Sequence, residues 1–208
     1  MDSLVSAAIA AEECEELYFL HFSYGQRTQN KEKWCFEQIA AYYHAAQSKT
    51  VNYAWLAEIG GSALTDPSIK LNENGEIPNT YVPFRNATML CAAVAWAEVI
   101  SARRIYIGAV EEDSSGYPDC RQSFFATMQQ LIREGTIHND VQIRTPVLNM
   151  NKAEIVLRGK ELSAPFHLSW SCYFSEEKAC GTCPSCKLRL RAFQSAGLQD
   201  PIPYEGTQ

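Results

Sequence analysis

Basic residues are in short supply: lysine and arginine number 18 against 24 acids, a formal net charge of −6. That balance excludes a broad nucleic-acid-binding face, although a local basic groove stays compatible with it. Long apolar runs are also missing. The longest, Met89 to Ala97, has nine residues, far short of the ~20 needed to span a bilayer. The opening stretch Met1 to Ser6 carries Asp2 and no cation, so a secretory leader is not expected. Eight cysteines in 208 residues fall below the ~8–10% of a disulfide scaffold. What is present is ordinary: 46% hydrophobic and 20% charged residues, enough for a real core and one or two domains. A soluble, cytoplasmic chain is the expectation. In a reducing compartment, clustered thiols favour metal binding or catalysis over disulfides.

Hydrophobic spacing predicts alternating helices and strands. Leu4, Val5, Ala8 and Ile9 give a helix over about 3–13, and the run Leu17 to Phe22 reads as a strand buried on both faces. Helical period returns over 28–46, and Val51 to Trp55 alternates as a second strand. A Gly-, Asn- and Pro-rich loop covers 60–83. Asn86 to Arg103 is apolar almost all round and predicts a helix buried in the core. A strand over 104–109, a helix over 121–133, a strand over 141–145 and a helix over 151–160 follow. This order predicts an α/β fold around a mostly parallel sheet. The character changes near Ala164, so two units are expected: 1–164, and a cysteine-bearing tail over 165–208.

In that tail Cys172 precedes Cys180-Gly181-Thr182-Cys183-Pro184-Ser185-Cys186. Four thiolates give zinc a closed tetrahedral shell, and two-residue gaps let a tight turn aim successive sulfurs at one point. An iron–sulfur cluster is the rival. Ferredoxin-like runs, however, add a cysteine where Leu190 stands. Such a closed site is structural, not catalytic. Of the other cysteines, Cys91 reads as a small core hydrophobe, and Cys120 has no neighbouring base to make it a nucleophile.

Three polar stretches sit where a parallel sheet places its ligands, beyond the strands' carboxyl ends or opening the helix that follows the long loop. They are Ser23-Tyr24-Gly25-Gln26-Arg27, Pro83-Phe84-Arg85-Asn86, and Glu111 to Arg121. The last combines acids, an aromatic and an arginine, an inventory for stacking on a planar ligand and bonding its edge. Arg85 suits a phosphate or carboxylate. Each has a plainer reading as turn or cap, with Asn86 as the N-cap of its helix.

These residues resemble the 7-cyano-7-deazaguanine synthases of queuosine biosynthesis. The likeness rests on Asp2-Ser3, His21 to Arg27, Val82 to Asn86, Glu112 to Arg121, Thr145-Pro146, Lys152 to Ile155, Trp170 to Tyr173, and Ala179 to Cys186. It implies a Rossmann-like adenine-nucleotide hydrolase fold with a zinc-bearing tail. It also implies an ATP- and Mg²⁺-dependent ligase that turns 7-carboxy-7-deazaguanine and ammonia into the nitrile. On the same ground Asp113, Asp119 and Arg121 are catalytic candidates. Tyr24, Gln26, Arg85, Asn86, Ser114 and Tyr117 are candidates for substrate binding, and Asp2 and Ser3 for ATP. Cys172, Cys180, Cys183 and Cys186 are the expected zinc ligands. The implied partners are small molecules, with no nucleic acid or membrane and with a homodimer as the candidate assembly.

Two departures stand out. Ser23 replaces an aspartate common in relatives, and Met1-Asp2-Ser3 lacks the strand and glycines of the family's Ser-Gly-Gly-x-Asp-Ser loop. The expectation that follows is a truncated chain, poorly soluble and weak for ATP, with a split sheet. Other readings are an inactive scaffold relative, or an adenylating enzyme acting on a tRNA base, which the acidic charge disfavours.

Overall fold

The computed structural model describes residues 1–72, 77–110 and 117–206. Its elements are mixed α and β, with every paired strand parallel. Helix α1 (Asp2–Glu13) buries Leu4, Val5, Ala8 and Ile9, the expected stripe. Strand β1 (Tyr18–Ser23) pairs with β2 (Gln47–Asn52), joined by α2 (Gln29–Tyr42). Then come the short α3 (Trp55–Ile59), α4 (Arg85–Ile100), β3 (Arg104–Tyr106), α5 (Gln122–Gly135), β4 (Gln142–Arg144), α6 (Lys152–Glu161) and α7 (Pro184–Ser195). Strand β3 pairs with β4.

The strands therefore form two parallel ribbons, β1–β2 and β3–β4, with no ladder joining them among the described residues. Between them opens a cleft of about 1180 Å³, lined by β1 and β3 and by one face of α4. This explains two corrections. Strand β1 is half-buried along its whole length, not covered on both faces, because one side meets the cleft. Helix α4 buries only Ala87, Leu90 and Ala97 fully, with Met89 and Val94 partly buried against the core. Cys91, Ala95 and Val99, four residues apart on the opposite face, are exposed, Val99 by 79%. The reading of Cys91 as a core residue is thus overturned. A third correction concerns β2, which lies earlier than the alternation at 51–55 implied. Pairing with β1 recruits polar Gln47 to Thr50, and the Asn52 side chain accepts from Ala54 N at 3.0 Å to start the turn into α3.

The main apolar cluster joins Leu4, Val5 and Ile9 of α1, Ile155 and Val156 of α6, and Phe193 of α7. It therefore runs across residue 164, from the α/β part into the tail. Gly159 permits this crossing: a Cβ there would fall 2.8 Å from Val5 Cγ2 and would overlap the Phe166 ring. Asn151 and Glu154 form a reciprocal capping box at the start of α6, which fixes Lys152 at the helix mouth.

Candidate functional site

The loop after β1 is built by its own side chains. Gly25 turns it at φ +81°, a conformation that favours glycine. The Gln26 amide oxygen accepts from Tyr24 N at 2.8 Å, and its nitrogen donates to Phe22 O at 3.3 Å and to Glu32 Oε2 at 3.1 Å. The buried Gln26 thus staples the loop to α2. Arg27 donates to the carbonyls of Ala63 (2.7 Å), Asp66 (3.3 Å) and Ile69 (3.0 Å), tying down the long loop.

Tyr24 and Arg85 meet across the cleft's mouth. Arg85 Nη1 donates to the Tyr24 hydroxyl at 2.8 Å, and its guanidinium lies 5.3 Å from that ring's centroid. Burial disfavours the Arg85 charge, but Tyr24 and Asp119 outweigh it, so its pKa rises. Burial likewise raises the Tyr24 phenol.

Asn86 is not the N-cap of α4. Phe84 holds that position in a left-handed conformation, and the cap is supplied from elsewhere in the chain. Asp119 Oδ2 accepts from Asn86 N at 3.0 Å, while Asn86 Nδ2 donates to Asp119 O at 2.9 Å and Cys120 Sγ at 3.3 Å. A carboxylate at a helix N-terminus satisfies orphan donors and the dipole together. The Asp119–Asn86 clasp brings two sequence stretches together as one wall. Tyr117 joins it, hydrogen-bonding Thr80 and lying 5.5 Å from the Tyr81 ring. Arg121 is exposed at the start of α5. Cys120 is buried, and burial pushes its thiol up to about 11, the opposite of an activated nucleophile. Asp113 and Ser114 lie outside the described residues.

Asp2 and Ser3 sit at the amino end of α1, against the carboxyl end of β3. A Cβ on Gly108 would fall 2.7 Å from the Asp2 carbonyl carbon, so only glycine permits this approach. Lys152 Nζ donates to Asp2 Oδ2 at 2.9 Å, and Asp2 Oδ1 is buried with no partner among the described residues. Ser3 is exposed. Sequence reasoning had not singled out Lys152 as a site residue. The Asn-x-x-Glu capping pattern around it was the available signal.

In the tail, the Sγ atoms of Cys172, Cys180, Cys183 and Cys186 all lie within 4.8 Å of one another. A tetrahedral ion with ~2.3 Å bonds to sulfur needs sulfurs about 3.8 Å apart, and Cys180 and Cys186 stand at 3.9 Å. Backbone amides point at the sulfurs: Phe174, Ser175 and Cys180 at Cys172, and Cys183 at Cys180, at 3.3–3.4 Å. Pro184 opens α7, which carries Cys186. The four thiols can hold a metal ion such as zinc. The tail is anchored by Arg189, whose Nε and Nη2 clamp Asp200 at 2.7 and 2.9 Å. Thr28 Oγ1 lies 3.2 Å from Cys172 O, linking the cluster to the loop after β1.

Parallel strands with polar loops at their carboxyl ends, beside a four-cysteine group that could hold a metal ion, define a protein of the α/β class. A profile of the family described as "Queuosine biosynthesis protein QueC" matches residues 1–197. Proteins named 7-cyano-7-deazaguanine synthase are similar along nearly the whole chain. That of Chlorobaculum tepidum is 55% identical over 210 residues, 99% of this chain and 92% of its own. That of Chloroherpeton thalassium is 52% identical, over 99% and 93%. The chain belongs to the QueC family.

Proposed function

We propose that the chain is an enzyme, an ATP-dependent carbon–nitrogen ligase that makes 7-cyano-7-deazaguanine from 7-carboxy-7-deazaguanine and ammonia, in queuosine precursor biosynthesis. The observation that carries this reading is the 51–55% identity, over nearly full length, to proteins named for that synthesis. In this scheme the substrate carboxylate attacks the α-phosphorus of ATP and pyrophosphate leaves. Ammonia displaces AMP to give the amide. The amide oxygen is adenylated by a second ATP, again releasing pyrophosphate. Loss of a proton and AMP then leaves the nitrile. Each step needs positioned donors and no protein nucleophile.

Arg85, its charge supported by Tyr24 and Asp119, suits the substrate acid or its adenylate. Tyr117 offers a ring face, and Asp119, with Asn86, holds the wall that carries it. Asp2 and Ser3, with Lys152, stand for the ATP end. The orphaned Asp2 Oδ1 beside the Lys152 ammonium fits Mg²⁺ and phosphate, and Mg²⁺ would supply neutralisation of phosphate charge. Asp113, Ser114 and Arg121 complete the proposed set. Zinc is the ion we assign to the four cysteines, in a structural role. A cytoplasmic setting follows from the massed reduced thiols, with small molecules as partners and a homodimer as the assembly.

The test is turnover with ATP, ammonium and the acid. Asp119→Asn and Arg121→Ala should each lower kcat/KM for the acid while metal content stays at the wild-type level. If both retain wild-type turnover, the loop is only a turn.

A further inference from the structure

One half-buried acid in the cleft has no part in the scheme above. Glu32 stands in the first turn of α2, on the wall that also carries Tyr24, Thr80, Arg85, Tyr117 and Tyr173. Its Oε2 accepts from Gln26 Nε2 at 3.1 Å and its Oε1 from Thr28 Oγ1 at 3.0 Å. Among the described residues it makes no ion pair. Burial raises its pKa, opposed by the Gln26 and Thr28 donors and by the Arg85 charge.

A carboxylate partly withdrawn from water with no cation in contact is costly unless hydrogen bonds hold it. Here two donors fix its orientation, and each oxygen keeps a further acceptor site. The result is a pair of acceptors, side by side and held in place, on the same cavity that the Arg85 guanidinium lines. A complementary ligand carries two adjacent N–H donors on one edge and an acidic group elsewhere. A guanine-type ring has that edge, in its N1–H and 2-amino groups. Adenine offers an acceptor and a donor instead, so this wall would also keep ATP's base out.

We propose that Glu32 reads the pyrimidine edge of the deazaguanine, one oxygen accepting from N1–H and the other from the 2-amino group. Gln26 and Thr28 act as positioning residues for that carboxylate. The assignment rests on the ligase reading and deepens it. Its sequence signal was weak, because one acid among charged neighbours on a helix reads as a solvated face.

The experiment is calorimetric titration of the full chain, without ATP, by 7-carboxy-7-deazaguanine and by the same acid lacking the 2-amino group. The wild-type protein should prefer the 2-amino compound by about tenfold to hundredfold. Glutamine presents one acceptor and one donor, so Glu32→Gln should lose most of that preference by weakening the 2-amino compound selectively. Equal weakening of both ligands would reduce Glu32 to a support for its loop and overturn the proposal. So would an unchanged preference in the variant. If Glu32→Gln fails to fold, the wild-type comparison still decides, because absence of any preference contradicts the assignment. The ligase reading fails separately, if the wild type binds the acid yet releases no AMP with ATP and ammonium.

Discussion

The tail and the cleft treat buried polar groups in opposite ways. In the tail, Arg189 and Asp200 are almost fully buried, with side chains 1% and 2% exposed, and each is answered several times over. Asp200 takes both forks of the guanidinium and the Tyr204 hydroxyl at 2.6 Å; Arg189 also reaches Ser169 Oγ at 2.8 Å. Around the cleft, Asp2 Oδ1, Ser6 Oγ, His21 Nε2 and Trp96 Nε1 are buried with no partner among the described residues. A closed site that organises itself is the mark of a structural element. Buried groups left unanswered around a cavity mark a place built to receive something.

The largest effect should come from removing a thiolate. Structural zinc contributes ~10–16 kcal/mol in small peptides, comparable to the ~5–15 kcal/mol stability of a whole domain. Cys183→Ala should therefore unfold the tail and abolish soluble yield, whereas Cys14→Ala should change little. Elemental analysis should find one zinc per wild-type chain; less than half an equivalent would break the contrast.

Next comes closing the cleft. A separate extended peptide of about ten residues tests whether the facing edges of β1 and β3 accept a strand. Each backbone group newly satisfied should add about 1–3 kcal/mol, read as a higher urea midpoint. An unchanged midpoint at saturating peptide would show that the ribbons do not accept a strand.

Smaller, and confined to the tail, is Arg189→Ala. It leaves Asp200 buried and unpaired, at a cost of about 3–5 kcal/mol in urea denaturation. The smallest effect belongs to the cleft. Ser6→Ala deletes an unanswered hydroxyl and should be neutral or stabilising by about 1 kcal/mol. A loss as large as that of Arg189→Ala would erase the distinction between the two regions.

Much of this was legible in the residues. The Leu4, Val5, Ala8 and Ile9 stripe and the four-cysteine spacing each specify their element locally, so the fold had little room to differ. The loop after β1 was legible too, because the turn chemistry of Ser23 to Arg27 is local. What was not legible depends on distant partners. Asp119 displaces Asn86's expected capping role by reaching across 33 positions. Polar Gln47 to Thr50 became a strand because β1 lies alongside. Helix α4 reads as wholly buried, yet one face borders the cleft and another is exposed, and no periodicity encodes an opening between two ribbons. Glu32 was missed for the same reason: its meaning comes from Gln26, Thr28 and the cavity beyond.

The most direct test of the account is a count of products. Purified chain, given the carboxylate, ammonium and Mg²⁺-ATP, should release two AMP and two pyrophosphate for each nitrile formed, with zinc content unchanged throughout. One AMP per product, with the amide as the end point, or no AMP from a folded, zinc-loaded chain, would contradict it.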